Sequence, residues 1–210
     1  MIKVLIADDH AILRRGLKEI LQRELDGVTC GEAEDAQQAL TEVQKQPWDV
    51  VILDISMPGR SGLDLLGDLQ RTQPKLPVLV LSMHAEGQYG RRVLKAGAAG
   101  YMNKESAPEE LISALRKVLA GGRYVSPALA EDLAVALDYD SERPPHETLS
   151  GREFEILRML ASGKTVSQIA GELHLSATTV STYRTRILGK MKMATTAELI
   201  RYALQTRLVD

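Results

Sequence analysis

Apolar residues gather in two kinds of pattern along the first 120 positions. Short runs at Ile2–Ala7, Val28–Gly31, Val50–Leu53, Val78–Leu81 and Gly100–Met102 have strand length. Between them, apolar residues recur at helical spacing near 10–23, 35–45, 61–72, 87–96 and 107–120. Runs of the first kind read as strands. Their alternation with helices predicts a doubly wound α/β fold: a five-stranded parallel sheet covered on both faces. Gly121-Gly122 stops the fifth helix.

The remainder is different in kind. A further helix is expected at 127–138, with Pro127 in its first turn. Residues 139–147 read as linker, because Asp140, Ser141, Pro144 and Pro145 interrupt both periods. Four short helical segments follow. Ser150…Glu153, Thr165…Gln168 and Thr195…Glu198 each have the spacing of a capping box. In the third segment Val180, Tyr183, Ile187, Leu188 and Met191 form the apolar stripe, with Ser181, Thr182 and Thr185 opposite. Gly189 interrupts this segment, so either the helix frays early or a neighbouring backbone passes close. The expected organisation is a unit at 1–122, a connecting segment at 123–147 and an all-α four-helix unit at 148–210.

The chain has a formal charge of −2, but the charge is not evenly spread. Residues 1–147 carry 17 basic and 23 acidic side chains, and residues 148–210 carry 9 and 5. No acid occurs between Leu173 and Ala197, where Arg184, Arg186, Lys190 and Lys192 cluster. A solvated helix face would intersperse acids, so this polarity points to a polyanionic partner for the second unit. Small polar residues flanked by bases suit a helix that enters the major groove of double-stranded DNA. Ser181, Thr182 and Thr185 are then candidate base readers, and Arg184, Arg186 and Lys190 candidate phosphate contacts.

The ends of the apolar runs carry the chemistry of the first unit. Ile2–Ala7 ends in Asp8 and Asp9, Val50–Leu53 in Asp54, Val78–Leu81 in Ser82, and Tyr101-Met102-Asn103 leads to Lys104. Open α/β sheets place their sites at the carboxyl ends of strands. Three carboxylates in one crevice demand a cation, and hard divalent ions take oxygen ligands. A carboxylate nucleophile beside a hydroxyl and an ammonium suits phosphoryl transfer. One residue alone would be a turn or loop residue. The order of all five is the signal.

With these residues in place, positions 1 to about 120 resemble the receiver domain of two-component response regulators, a flavodoxin-like fold. The resemblance rests on Asp8, Asp9, the stretch Asp54-Ile-Ser-Met-Pro-Gly-Arg-Ser-Gly62, Ser82, Tyr101 and Lys104. It implies that Asp54 is the phosphoacceptor and that Tyr101 is a switch aromatic. It also implies that Asp9, Asp54 and the backbone carbonyl of Ser56 hold Mg²⁺, with Asp8 acting partly through water. His84 lies where similar receivers influence phosphoryl lifetime. Many receivers place proline and a cis peptide after the lysine, whereas Glu105 follows Lys104 here. A cis bond without proline costs about 3 kcal/mol, so none is required.

Leu149–Leu208 resembles the NarL/FixJ family's LuxR-type helix-turn-helix, through Leu149-Ser-Gly-Arg-Glu153, Ile169-Ala170, Leu175-Ser176 and Thr179-Val-Ser-Thr-Tyr183. Thr179–Arg186 looks most like the BvgA, EvgA and GacA branches. Together the resemblances imply a histidine kinase as phosphodonor, a homodimer when phosphorylated, and two-fold DNA sites. They imply a switch that catalyses only its own phosphorylation and slow dephosphorylation. An aspartyl phosphatase of the haloacid-dehalogenase kind would need a second Asp two residues after the nucleophile, where Ser56 stands. A receiver that acts through protein partners alone is the other alternative, and salt-sensitive nucleic-acid binding would separate it.

No apolar run approaches the roughly 20 residues that span a bilayer. Met1-Ile2-Lys3-Val4 begins a strand rather than a signal peptide, so a cytoplasmic location without membrane partners is expected. The single cysteine, Cys30, reads as a small core residue. His174 reads as a surface turn residue, and no spacing of histidine and cysteine suggests zinc.

Overall fold

The computed structural model describes residues 1–84, 86–138 and 144–209. Residues 139–143, most of the expected linker, lie outside them. Two compact units result, Met1–Asp138 and Tyr139–Asp210.

In the first unit strands β1 (Ile2–Ala7), β2 (Val28–Ala33), β3 (Val50–Asp54), β4 (Val78–Ser82) and β5 (Gly100–Asn103) alternate with five helices. These are α1 (Ala11–Glu24), α2 (Ala36–Lys45), α3 (Gly62–Thr72), α4 (Glu86–Lys95) and α5 (Ala107–Leu119). All strand pairs are parallel, in the order β2-β1-β3-β4-β5. Every residue of β3 and β4 is buried, as their unbroken apolar runs require. Cys30 differs from expectation in degree: it packs against the core but stays partly exposed, because β2 is an edge strand.

Four strands end in the same local device. Asp8 Oδ1 accepts from His10 N at 2.8 Å, and Asp54 Oδ1 from Ser56 N at 3.0 Å. Ser82 Oγ accepts from His84 N at 3.1 Å, and Asn103 Oδ1 from Glu105 N at 2.9 Å. Each side chain thus caps the amide two residues on, which turns the chain out of the sheet. One turn chemistry ends β1, β3, β4 and β5 and aims their polar termini at one edge. Gly62, the last residue of the stretch after Asp54, has a similar purpose. A Cβ there would lie 2.2 Å from the Asp54 carbonyl oxygen, so only glycine lets α3 begin against the end of β3.

The helix expected at 127–138 forms as α6 (Pro127–Asp138), and it belongs to the first unit rather than standing apart in a linker. Ser126 caps it, its Oγ accepting from Leu129 N at 3.1 Å, and the same hydroxyl contacts Glu86 of α4. Leu129 is 1% exposed and fills the space over Gly90, where a Cβ would lie 2.6 Å from it. A glycine inside α4 costs about 1 kcal/mol relative to alanine, and this packing explains its presence. Just before α6, Tyr124 N donates to Ala99 O at 2.9 Å and closes part of the free edge of β5.

In the second unit a 3₁₀ turn (Pro145–Thr148) precedes α7 (Gly151–Ala161), α8 (Val166–Glu172), α9 (Ala177–Met191) and α10 (Thr196–Gln205). The boxes at Ser150/Glu153 and Thr165/Gln168 are complete. The third is half made. Thr195 Oγ1 accepts from Glu198 N, but Glu198 Oε2 turns one residue further, to Ala194 N at 2.8 Å. Of the α9 stripe, Val180, Ile187 and Met191 are buried, while Tyr183 and Leu188 are half-buried. His174 lies exposed in the turn with φ of 52°.

Neither explanation offered for Gly189 holds. The helix continues to Met191, and nothing lies within 4 Å of a Cβ built at Gly189. Gly189→Ala is therefore expected to raise stability by about 0.5–1 kcal/mol, read as a higher denaturant midpoint at unchanged slope. An unchanged or lower midpoint would mean that the glycine is required. A second outcome follows from α6. Leu129→Ala should speed amide exchange in residues 127–133 while leaving β1, β3 and β4 protected, because the contact it removes is local. Loss of protection throughout the sheet would show that α6 supports the whole unit.

Candidate functional site

Three of the predicted acids and the lysine meet where the strand-end turns converge. Lys104 Nζ lies 2.7 Å from Asp54 Oδ2 and 2.6 Å from Asp8 Oδ2. The contact to Asp54 is an aligned hydrogen bond. The contact to Asp8 is a short charge contact without that alignment, which leaves Asp8 Oδ2 buried with no hydrogen bond. Asp9 Oδ1 is in the same condition, although His10 Nδ1 is 2.9 Å away. Asp8 and Asp54 are 2% and 1% exposed and Lys104 is 9% exposed.

One ammonium faces two buried carboxylates, and the third acid adjoins them. Burial pushes the Asp54 carboxyl upward; Lys104 pulls it down, Asp8 pushes it up again, and the net direction is above the ordinary carboxylate range. Burial alone would lower the Lys104 ammonium, yet Asp54 and Asp8 outweigh it and hold it above the usual lysine value. The group is short of positive charge. Oxygen atoms from Asp8, Asp9 and Asp54, with a nitrogen of His10, lie within 4.8 Å of one another. Orphaned buried oxygens and an oxygen-rich donor set fit a hard divalent cation. His10, which the strand-end pattern does not select, contacts both Asp8 and Asp9. Its signal in the sequence is its place directly after the acid pair. Arg14, one helical turn further, donates to the Asp8 carbonyl at 2.6 Å.

Ser82 is fully buried at the same edge, with its backbone carbonyl accepting from Lys104 N at 2.9 Å. Its hydroxyl oxygen is engaged by His84 N. Tyr101 is fully buried, and its hydroxyl donates to the His84 carbonyl at 2.7 Å. The His84 ring stacks on Tyr89 and meets the Ser56 hydroxyl at 3.2 Å. His84 thereby ties the loop after β4 to the loop after β3. The peptide after Lys104 is trans, since no cis peptide occurs among the described residues.

In the second unit α9 presents the expected surface. Thr182, Thr185, Arg186 and Lys190 are exposed, and Ser181 and Arg184 are half-buried. Thr178, one turn before Thr182, is exposed on the same face, and the i, i+4, i+7 spacing of Thr178, Thr182 and Thr185 is its signal. Arg186 lies 5.9 Å over the Tyr183 ring. Lys190 is less free than its sequence position suggests, because its ammonium is 2.6 Å from Glu153 Oε2. Burial works to raise the Glu153 carboxyl, but Lys190 and the Ser150 amide hold it below the ordinary range.

Comparison with known proteins agrees with both halves. The family model described as "Response regulator receiver domain" matches residues 4–116, and "Bacterial regulatory proteins, luxR family" matches 147–203. Response regulator GacA of Pseudomonas aeruginosa is 38% identical over 212 residues, covering 100% of this chain and 99% of its own. Response regulator UvrY of Escherichia coli is 35% identical over 207 residues, covering 98% and 94%. Among solved structures, the RcsB–DNA complex has a TM-score of 0.61 at 29% identity and covers 98% of each chain. RcsB from Salmonella enterica serovar Typhimurium, bound to promoter rprA with phosphomimetic BeF₃⁻, has a TM-score of 0.62 at 30% identity, covering 96% and 98%. The acid–lysine group thus stands in a receiver domain and α9 in a LuxR-type regulatory domain, and the chain belongs to the NarL/FixJ family of two-component response regulators.

Proposed function

We propose that this chain is a cytoplasmic transcription regulator switched by phosphorylation of Asp54 by a histidine kinase. Its output is dimeric binding to two-fold DNA sites. The observation that carries the reading is the Lys104 ammonium shared between Asp54 and Asp8 at the ends of β5, β3 and β1. In the transfer, an Asp54 carboxylate oxygen attacks phosphorus. A P–O bond forms, the P–N bond of the phosphohistidine breaks, and its electron pair returns to the imidazole. The Ser56 amide holds the Asp54 carboxylate during the attack. A bound Mg²⁺ would supply the charge that the acids and phosphoryl oxygens lack. Asp9, Asp54 and the Ser56 carbonyl would hold it, and Asp8 would contribute through water.

The new dianion changes the demands on the neighbouring groups. Lys104 turns from a carboxylate to a phosphoryl oxygen, and the Ser82 hydroxyl leaves His84 N to donate to another. The loop after β4 then loses one of its ties, and Tyr101, whose hydroxyl donates to the His84 carbonyl in this structure, moves as the switch aromatic into the space Ser82 vacates. This links the phosphoryl state to α4, which follows that loop. The shift is bounded by how much better one state binds the phosphoryl group. Turnover is confined to the protein's own acyl phosphate, so the receiver is a switch rather than an enzyme. The DNA-bound RcsB relatives support the output.

Asp54→Asn should keep the fold and lose labelling by a small acyl-phosphate donor, because the amide is not a competent nucleophile. Labelling at the wild-type rate would remove Asp54 from the role. Asp9→Ala tests the cation. Mg²⁺ at a hundred times its dissociation constant should stabilise the wild-type protein by about 2.7 kcal/mol in thermal unfolding, and the variant should gain much less. An equal gain would exclude Asp9 as a ligand.

On DNA, Arg186→Ala should weaken all duplexes alike and reduce the salt slope by about one unit. Lys190→Ala should reduce it less, since Glu153 already neutralises that ammonium. Equal slopes for the two variants would show that Lys190 leaves Glu153 on binding.

A further inference from the structure

We propose that Thr182 and Thr185 recognise thymine through its 5-methyl group, leaving hydrogen-bonded base recognition on this face to Ser181 and Thr178. The inference rests on the reading of α9 as the helix that enters the major groove.

The hydroxyl protons of both threonines already have acceptors. Thr182 Oγ1 donates to the Thr178 carbonyl at 3.0 Å, and Thr185 Oγ1 donates to the Ser181 carbonyl at 3.1 Å. Both protons are therefore committed to the helix's own backbone, one turn back. To donate to a base, either hydroxyl must first abandon that bond and change rotamer. With the oxygen bonded to the backbone, the methyl is the group each threonine has left to offer without a change of rotamer. Thr182 and Thr185 are exposed residues, so a partner can reach them. Ser181 and Thr178 have no side-chain hydrogen bond among the described residues, so their hydroxyls can donate or accept.

The face of α9 is thus chemically divided. Two positions offer a methyl and two offer a free hydroxyl. In the major groove the thymine methyl is the one apolar group that base pairs present, and apolar contact with it is a recognised mode of direct readout. A cytosine at the same place offers an amino donor and no methyl, so the methyl contact is lost there. Burying a methyl against a methyl is worth about fourfold in affinity.

The test uses the full-length protein and a duplex recovered by selection from a randomised library. Each thymine of the recovered site is replaced, one at a time, by deoxyuridine, which removes the methyl and no hydrogen-bonding group. Wild-type protein should lose about fourfold in affinity at one or two thymines per half-site and nothing at the others. Thr182→Val keeps the methyl surface and removes the hydroxyl, so it should preserve the thymine-to-uracil ratio. Thr182→Ser keeps the hydroxyl and removes the methyl, so its ratio should fall to one at a single position. The corresponding pair at Thr185 should do the same at a different position.

Equal binding of thymine and deoxyuridine sites by the wild-type protein would overturn the proposal while leaving DNA binding intact. The reverse pattern, with serine preserving the ratio and valine losing it, would assign readout to the hydroxyl and overturn it as well. Failure to recover any duplex above non-specific binding would instead remove the reading of α9 on which the proposal stands.

Discussion

One ammonium serving two buried carboxylates is the interaction on which the first unit's behaviour depends. Lys104 reaches Asp54 and Asp8 from a neighbouring part of the sheet edge, and all three are nearly out of contact with solvent. Buried charge is tolerated only when paired, and removing one partner of such a pair typically costs 3–5 kcal/mol. Here the pairing is incomplete by design of numbers: two buried acids, a third beside them, one lysine. The resting site is therefore held together and yet short of positive charge. Both properties favour a divalent cation and an incoming phosphoryl group whose oxygens Lys104 can follow.

Four repeated turns at the strand ends make that arrangement possible. Asp8, Asp54, Ser82 and Asn103 each use one side-chain oxygen to hold the amide two residues on. Structure and chemistry are thereby coupled in single residues. Asp8 and Asp54 spend one oxygen on the turn and keep the other for the site. Ser82 has only one oxygen, which holds the His84 amide with a lone pair and keeps its proton for a second partner. His84, tied to Ser56, Tyr89 and Tyr101, joins that turn to its neighbours.

The second unit shows a similar economy. Glu153 completes the cap of α7 and also holds Lys190 of α9, so one acid joins two helices and removes part of the positive charge from the surface of α9. The threonines of α9 satisfy their own backbone before they meet any partner. The bonds that satisfy the helix also commit the donor capacity of that face.

Much of this was legible in the order of residues. Apolar runs of strand length, interrupted by helical periods, determined the parallel sheet, because burial on both faces leaves that pattern and few others. The placement of Asp8, Asp9, Asp54, Ser82 and Lys104 at run ends determined the site's membership, because parallel strands bring their carboxyl ends to one edge. The acid-free segment around α9 determined where DNA would be sought. Other facts needed the third dimension. Only packing shows that α6 lies on α4, since a Leu129 over a Gly90 is a contact between residues 39 positions apart in chains that periodicity treats separately. Only side-chain geometry shows that Lys190 is already paired, that His10 joins the acids, and that the Thr182 and Thr185 protons point inward. Periodicity reports which face a residue occupies. Which neighbour claims its charge or its proton is a matter of distances of about 3 Å, and those are decided when the elements come together.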